Sequence, residues 1–250
     1  MASREDSARQ ALIQYLRTDR LLGLEEIPLR LPERSAPTAE AGTRTPNPTD
    51  AAEKGERLGA LDEGQVKSCT RCGLHETRNN TVFGQGSPAA RLVFVGEAPG
   101  FEEDRQGVAF VGKAGQLLTR MIVPMGLSRE EVFICNVLKC RPPNNRDPSA
   151  DEIARCSPYL YEQLSIIEPE VIIALGAPAA KTLLQTKQSI GRLRGRFHDF
   201  YLSGIEGVGE AIPLMPTYHP AYLLRSPGEK GKTWADLQAV MKRMGLPLPK

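Results

Sequence analysis

The sequence predicts an α/β fold, a mostly parallel sheet sandwiched between helices, and three observations predict it. From residue 66 onward, short strand-like segments alternate with helix-like ones, the order expected when strands and covering helices take turns along a chain. The strand-like segments are continuously apolar rather than alternating, the pattern of strands buried on both faces. Polar residues able to carry chemistry recur where those strands end, and open parallel sheets bind ligands beyond the carboxyl ends of their strands.

The elements follow in order. The run RLVFVGE at residues 91–97 reads as the first core strand, and AGQLLTRMIVPMG at 114–126 as a helix. EVFICNVLK at 131–139 is the second strand. Ser149, three residues before Glu152, carries a capping-box signature that starts a helix over SADEIARCSPYLYEQLSIIE, because the two side chains satisfy each other's free backbone N–H groups. EVIIALG and APAAKTLLQT form the next strand and helix, residues 195–220 read as a hairpin leading into a turn, and KGKTWADLQAVMKRMG closes the chain as a helix.

The first 65 residues differ in character. Residues 5–22 place Leu12, Ile13, Leu16 and Leu21 near one helix face. Five prolines then fall between Ile27 and Thr49 with few large apolar residues, a composition unable to bury enough surface to fold. The expected division is therefore residues 1–65 as a short amphipathic helix plus a flexible arm, and residues 66–250 as the folded domain. The helix is a candidate docking element for a protein partner.

With 250 residues, 40% hydrophobic and 25% charged, the chain can build one sizeable core. No apolar run approaches the 18 residues of a membrane span, and the amino terminus lacks an apolar signal core. A cytoplasmic monomer is expected. The net charge of +2 hides an asymmetry: residues 1–65 hold 9 Lys/Arg and 12 Asp/Glu, so 23 of the 32 basic and 18 of the 30 acidic residues follow them. That remainder of about +5 permits a nucleic-acid partner without requiring one.

Five cysteines in a chain of this kind argue against a disulfide framework. Cys69 and Cys72 form a C-x2-C turn, whereas Cys140 and Cys156 bracket a polar loop. Zinc ribbons more often use two close pairs, and one pair with two separated cysteines is at least as compatible with an iron–sulfur cluster held by four thiolates. Cys135 sits inside an apolar strand and reads as a core residue.

At the strand ends, Glu97 closes the first strand within GEAPGFEED, Asn136 lies late in the second, and His219 follows the last extended segment. Phe110 lies in the loop after the first turn. An amide that pairs with a pyrimidine edge, a stacking ring, a histidine facing a developing anion and a carboxylate that orients water suit a flat heterocycle better than a phosphate. GEAPG also lacks the lysine of a phosphate loop.

The motifs GEAPGFEED, FVGKAGQLL, NVLKCRPPNNRDP and HPAYLLR, in this order and with the four cysteines so placed, closely resemble the family 4 uracil-DNA glycosylases, over roughly residues 66–245. The resemblance implies a three-layer α/β/α sandwich with a central four-stranded parallel sheet and a 4Fe-4S cluster. It also implies removal of uracil from DNA, double- or single-stranded, as the first step of base excision repair. It assigns Cys69, Cys72, Cys140 and Cys156 to the cluster, Phe110 to stacking on the flipped base and Asn136 to its edge. Glu97 is assigned to the attacking water and His219 to the leaving base. Gly96, Ala98, Pro99, Gly100 and Glu103 would complete the base pocket. Leu223 and Leu224 are candidate wedges, and Arg225 and Arg141 candidate DNA contacts. Ala221 stands where serine is common in the family, a mild departure.

Overall fold

The computed structural model describes residues 48–248; the predicted helix at residues 5–22 and most of the proline-rich arm lie outside them. The described chain begins with helix α1 (Pro48–Leu61), which runs into a wide helical turn at Asp62–Val66. Strands β1 (Gln85–Gly86) and β2 (Leu92–Gly96) follow, then α2 (Phe101–Gln106) and α3 (Lys113–Ile122). Next come β3 (Phe133–Asn136), α4 (Ala150–Ile167), β4 (Val171–Leu175), α5 (Ala177–Leu183) and the single turn α6 (Ile190–Leu193). The chain closes with the hairpin β5 (His198–Phe200) and β6 (Ile212–Thr217), then α7 (Pro220–Arg225) and α8 (Lys230–Arg243).

The sheet order is β1-β3-β2-β4-β6-β5. Strands β3, β2, β4 and β6 run parallel, and β1 and β5 add antiparallel edges. The sheet is thus six-stranded, where four strands were expected; the two extra strands are short and cap the outer parallel strands, whose ladder groups would otherwise be unpaired.

Three layers follow from the strand alternation. Val93, Val95, Cys135, Ile172 and Ala174 point into one cluster with Leu160 and Leu164 of α4. Leu92, Phe94, Ile134, Ile173 and Met215 point into another with Leu118 of α3 and Leu237 and Val240 of α8. Strands β2, β3 and β4 are therefore buried on both faces, which is why their sequences read as nearly unbroken apolar runs.

The boundary expected at residue 65 moves toward the amino terminus. Leu58 and Leu61 of α1 are each 5% exposed and join the α4 side of the core. Lys54 lays its stem into the same face and donates to Glu168 Oε2 at 2.8 Å and Ile167 O at 3.2 Å. Two leucines and one buried lysine, its ammonium bonded to a carbonyl and a carboxylate, dock a helix that otherwise looks solvated.

The capping box at α4 forms as its sequence predicts, Ser149 Oγ accepting from Glu152 N and Glu152 from Ser149 N. Arg146 adds a two-pronged pair to the same carboxylate, 2.9 and 2.6 Å. Among the described residues, no helix is long and apolar enough to cross a membrane.

Candidate active site and cysteine chamber

Strand order reverses about β2: the chain passes from β2 outward to β3, then returns to the other side of β2 as β4. The loops after β2 and β4 consequently diverge and leave a crevice, the place where open α/β sheets put ligands. A cavity of about 780 Å³ opens there, and Glu97, Phe110, Asn136 and His219 all line it, with Gly176 at the head of α5 against His219. Ala98, Pro99, Gly100, Glu103 and Arg225 also face it.

Asn136 ends β3 and is 1% exposed, and its Oδ1 has no hydrogen-bond partner. A buried amide acceptor without a partner is costly unless a ligand supplies the donor. Phe110 approaches it because residue 96 is glycine: a Cβ there would stand 2.6 Å from Phe110 Cζ and collide with Asn136 Oδ1. Phe110 itself has φ 53, a left-handed conformation strained for an aromatic residue.

The surrounding contacts hold that strain. Glu103 Oε1 accepts from the N–H groups of Val111 and Gly112, both at 2.9 Å. Gly115 of α3 leaves room for the Phe110 carbonyl, which any Cβ would strike. Glu103 thus acts on the pocket by clamping the Phe110 loop. Asp104 is buried and anchors the chain at Asn79 and Asn80, accepting from Asn79 N at 2.9 Å, and Glu102 pairs with Arg105 at the surface.

Gly96→Ala is expected to keep the fold but lower the turnover of this cavity by about 10²-fold, since a 1 Å misplacement of a positioning group has that scale of effect. Circular dichroism together with a turnover assay checks it.

His219 is the N-cap of α7, and its Nδ1 accepts from Ala221 N at 3.1 Å. An accepting Nδ1 leaves the ring proton on Nε2. Burial, reinforced by the Arg225 guanidinium, holds the imidazolium pKa down to about 4, so the ring is a neutral donor at physiological pH. Its centroid lies 5.7 Å from that of Phe110. Glu97 is tuned the other way: burial first, and the Asp147 carboxylate second, push its pKa up to about 7. Two titratable groups in one cavity are thus driven apart in protonation behaviour, a frequent mark of acid–base chemistry.

The four cysteines singled out by spacing line one smaller chamber with Val66, Leu74 and Tyr159. Cys69 and Cys72 come from the turn before a short helix at Gly73–Glu76, Cys140 from the loop after β3, and Cys156 from α4. Arg78 Nη1 donates to Cys140 Sγ at 3.3 Å and Lys139 N to Cys156 Sγ at 3.2 Å. Burial pushes the Cys156 thiol up to about 11 and raises Cys140 too, so thiolates in this chamber call for a cationic centre. Among the described residues, no group of three or more Cys, His, Asp or Glu converges as a single metal ion demands. The four cysteines of this chamber supply the number of thiolates that a multi-iron cluster takes. Cys135 lies apart, fully buried in the core.

The structure does not bring every expected residue to the cavity. Leu223 is 1% exposed and belongs to the interior, so the wedge expected of it is corrected: α7 turns Leu223 inward, and Leu224 (41% exposed) outward. Arg141 stands outside the cavity lining, held by Asn145 Oδ1 at 2.7 Å. Sequence reasoning missed Asp147, whose charge reaches Glu97, and Tyr218 and Tyr222 of the cavity wall. The first lay within the quoted NNRDP motif, but nothing local tied it to Glu97.

The family model for the Uracil DNA glycosylase superfamily matches residues 83–238. Relatives include the type-4 uracil-DNA glycosylase of Thermotoga maritima, 48% identical over 172 residues, covering 68% of this chain and 85% of the relative. The Saccharolobus solfataricus protein of the same description is 48% identical over 168 residues, 65% of this chain and 76% of the relative. That of Archaeoglobus fulgidus is 41% identical over 189 residues, 74% and 92%.

Proposed function

Because the chain belongs to the type-4 uracil-DNA glycosylases of the uracil-DNA glycosylase superfamily, we propose that it draws deoxyuridine out of DNA into the cavity and hydrolyses the N-glycosidic bond. The products are free uracil and an abasic site. The observation that carries the assignment to this cavity is the unpaired Asn136 Oδ1, buried beside the Phe110 ring. Uracil N3–H supplies the missing donor, the carboxamide N–H₂ can donate to O4, and the ring stacks on Phe110. Cytosine offers an unprotonated N3 and an amino group there and would leave both sides of the amide mismatched.

Bond breaking puts positive charge on the sugar and negative charge on the base, so catalysis is chiefly electrostatic. The neutral His219 donates Nε2–H to uracil O2 as the anion forms, and no proton need be lost to solvent first. Glu97, as carboxylate, stabilises the sugar cation and orients the water that completes hydrolysis. Thymine differs by one methyl, whose exclusion is worth only ~1–3 kcal/mol in an apolar pocket; the close seat between Gly96, Phe110 and Asn136 adds misplacement to that penalty.

The cysteine quartet Cys69, Cys72, Cys140 and Cys156 would hold a 4Fe-4S cluster, which supplies a rigid tether between the amino-terminal turn, the loop after β3 and α4. Arg225 of the cavity lining, the exposed Leu224 beside it on α7, and Arg141 outside the lining contact the DNA backbone and the vacated stack. The helix predicted at residues 5–22 remains a candidate for protein docking.

Incubation with an oligonucleotide carrying one uracil, followed by alkali, tests the function: cleavage at uracil alone is expected, and intact DNA would overturn it. A pH profile tests Glu97. Its folded pKa of about 7 exceeds the ordinary 4.5, so the folded state holds its proton longer and stability falls as pH rises from about 4.5 to 7. Activity runs oppositely. kcat/KM is expected to climb about tenfold per pH unit below 7 and level off above it. Asp147→Asn removes one cause of the raised pKa and should move that limb to lower pH.

A further inference from the structure

Two exposed aromatic residues, one adjoining the cavity lining in sequence and one within it, each have an arginine as neighbour. Phe101, 54% exposed, follows Gly100 of the cavity lining. The guanidinium of Arg141 lies 5.2 Å from its ring centroid. Asn145 Oδ1 pins that arginine at 2.7 Å, from a loop in which Asn144 and Asn145 both take positive φ. Tyr222, 36% exposed, lines the cavity with Arg225 and packs on Tyr218 at 5.0 Å.

Phe101 has no role in the base pocket, whose stacking ring is Phe110. It also lies outside both core clusters. A large aromatic left this open at the first position of a helix costs solvation, and one face of its ring is already organised by a cation. An aromatic face coupled to a guanidinium is the combination that tracks single-stranded nucleic acid, the ring taking a base and the cation a phosphate.

We infer that Phe101 and Arg141 form a second nucleotide subsite, which stacks the base next to the flipped uracil and holds its phosphate when the substrate is single-stranded DNA. A duplex hides its base faces against its own neighbours, so the occupant is a single strand. Tyr222 and Arg225 receive the nucleotide on the other flank. The inference rests on the reading that uracil-containing DNA enters this cavity, and it adds to that reading a contact outside the pocket.

The test is a binding cycle on a single-stranded oligonucleotide carrying 2′-fluoro-deoxyuridine, whose glycosidic bond resists cleavage. The nucleotide on either flank is left intact or made abasic. Wild-type protein is expected to lose about tenfold in affinity when the flanking base on the Phe101 side is removed, the scale of base–aromatic stacking. Phe101→Ala should bind the intact strand about tenfold more weakly and be indifferent to that removal, the coupling a contacting pair must show. Phe101→Trp should restore the sensitivity and Phe101→Leu should not. Arg141→Ala should reduce the slope of log affinity against log salt by ~0.7, one phosphate on a single strand.

Equal sensitivity to flanking-base removal in wild type and Phe101→Ala, on both flanks, would overturn the subsite. Wild-type cleavage of an unmodified single-stranded uracil oligonucleotide, run alongside, separates the two failures: cleavage without coupling removes only the subsite, and no cleavage removes the reading beneath it.

Discussion

Replacing His219 with alanine is expected to lower kcat for uracil excision by about 10²–10³-fold, the typical cost of removing one preorganised donor from a developing anion. KM should change little, because the contact strengthens only as the bond breaks. The deficit should be the same at every pH from 5 to 9. His219 titrates near 4, so it stays neutral across that range, and the ascending limb near 7 belongs to Glu97. His219→Asn serves as the control for structure. Asparagine replaces the N-cap that His219 Nδ1 makes to Ala221 N, so the helix survives while the ring donor is lost. Single-turnover rates for the two variants should fall together. A His219→Ala enzyme working at the native rate would refute the assignment.

Cys140→Ser is expected to abolish the brown colour of the cluster and lower the thermal midpoint by several degrees, at ~2–4 °C per kcal/mol for a domain of this size. Metal-site binding energy is also folding energy, and this chamber joins three segments, the turn at Cys69 and Cys72, the loop after β3 and α4. Cys135→Ala should keep the colour, because that thiol points into the core. Excision should fall in the Cys140 variant as well. Lys139 explains the link: its backbone N–H reaches Cys156 Sγ, and its buried ammonium donates to Asn136 O at 2.8 Å, to Gln163 Oε1 at 2.5 Å and to Phe83 O at 3.2 Å. Loosening the chamber therefore loosens the end of β3, where the uracil-reading amide sits. Absorbance, melting and single-turnover excision, measured on one preparation of each variant, check the three parts.

Much of this architecture was legible because it is written in local patterns. Strands buried on both faces must be apolar throughout, the capping box needs only Ser149 and Glu152, and a C-x2-C turn announces itself. Glu97, Asn136 and His219 were recognisable as polar residues at strand ends, and the sheet topology brings all three to one crevice. Other features were invisible for definite reasons. Helix α1 has the composition of a linker, and its place in the domain depends on two leucines and a lysine meeting α4. Leu223 and Leu224 are chemically identical neighbours, and the 100° step between helix residues puts one inside and one out.

By itself, then, the sequence determined the layer architecture, the residues able to do the chemistry and the cysteines able to hold a cluster, since each depends on residue type and short-range spacing. The tertiary structure alone decided the protonation of Glu97 and His219, the closeness of Asn136 to Phe110 across Gly96, and the exposure of Phe101. Those properties come from burial, from charge acting through space, and from a missing Cβ where three chain segments converge. None of these is a property of the residues' order along the chain.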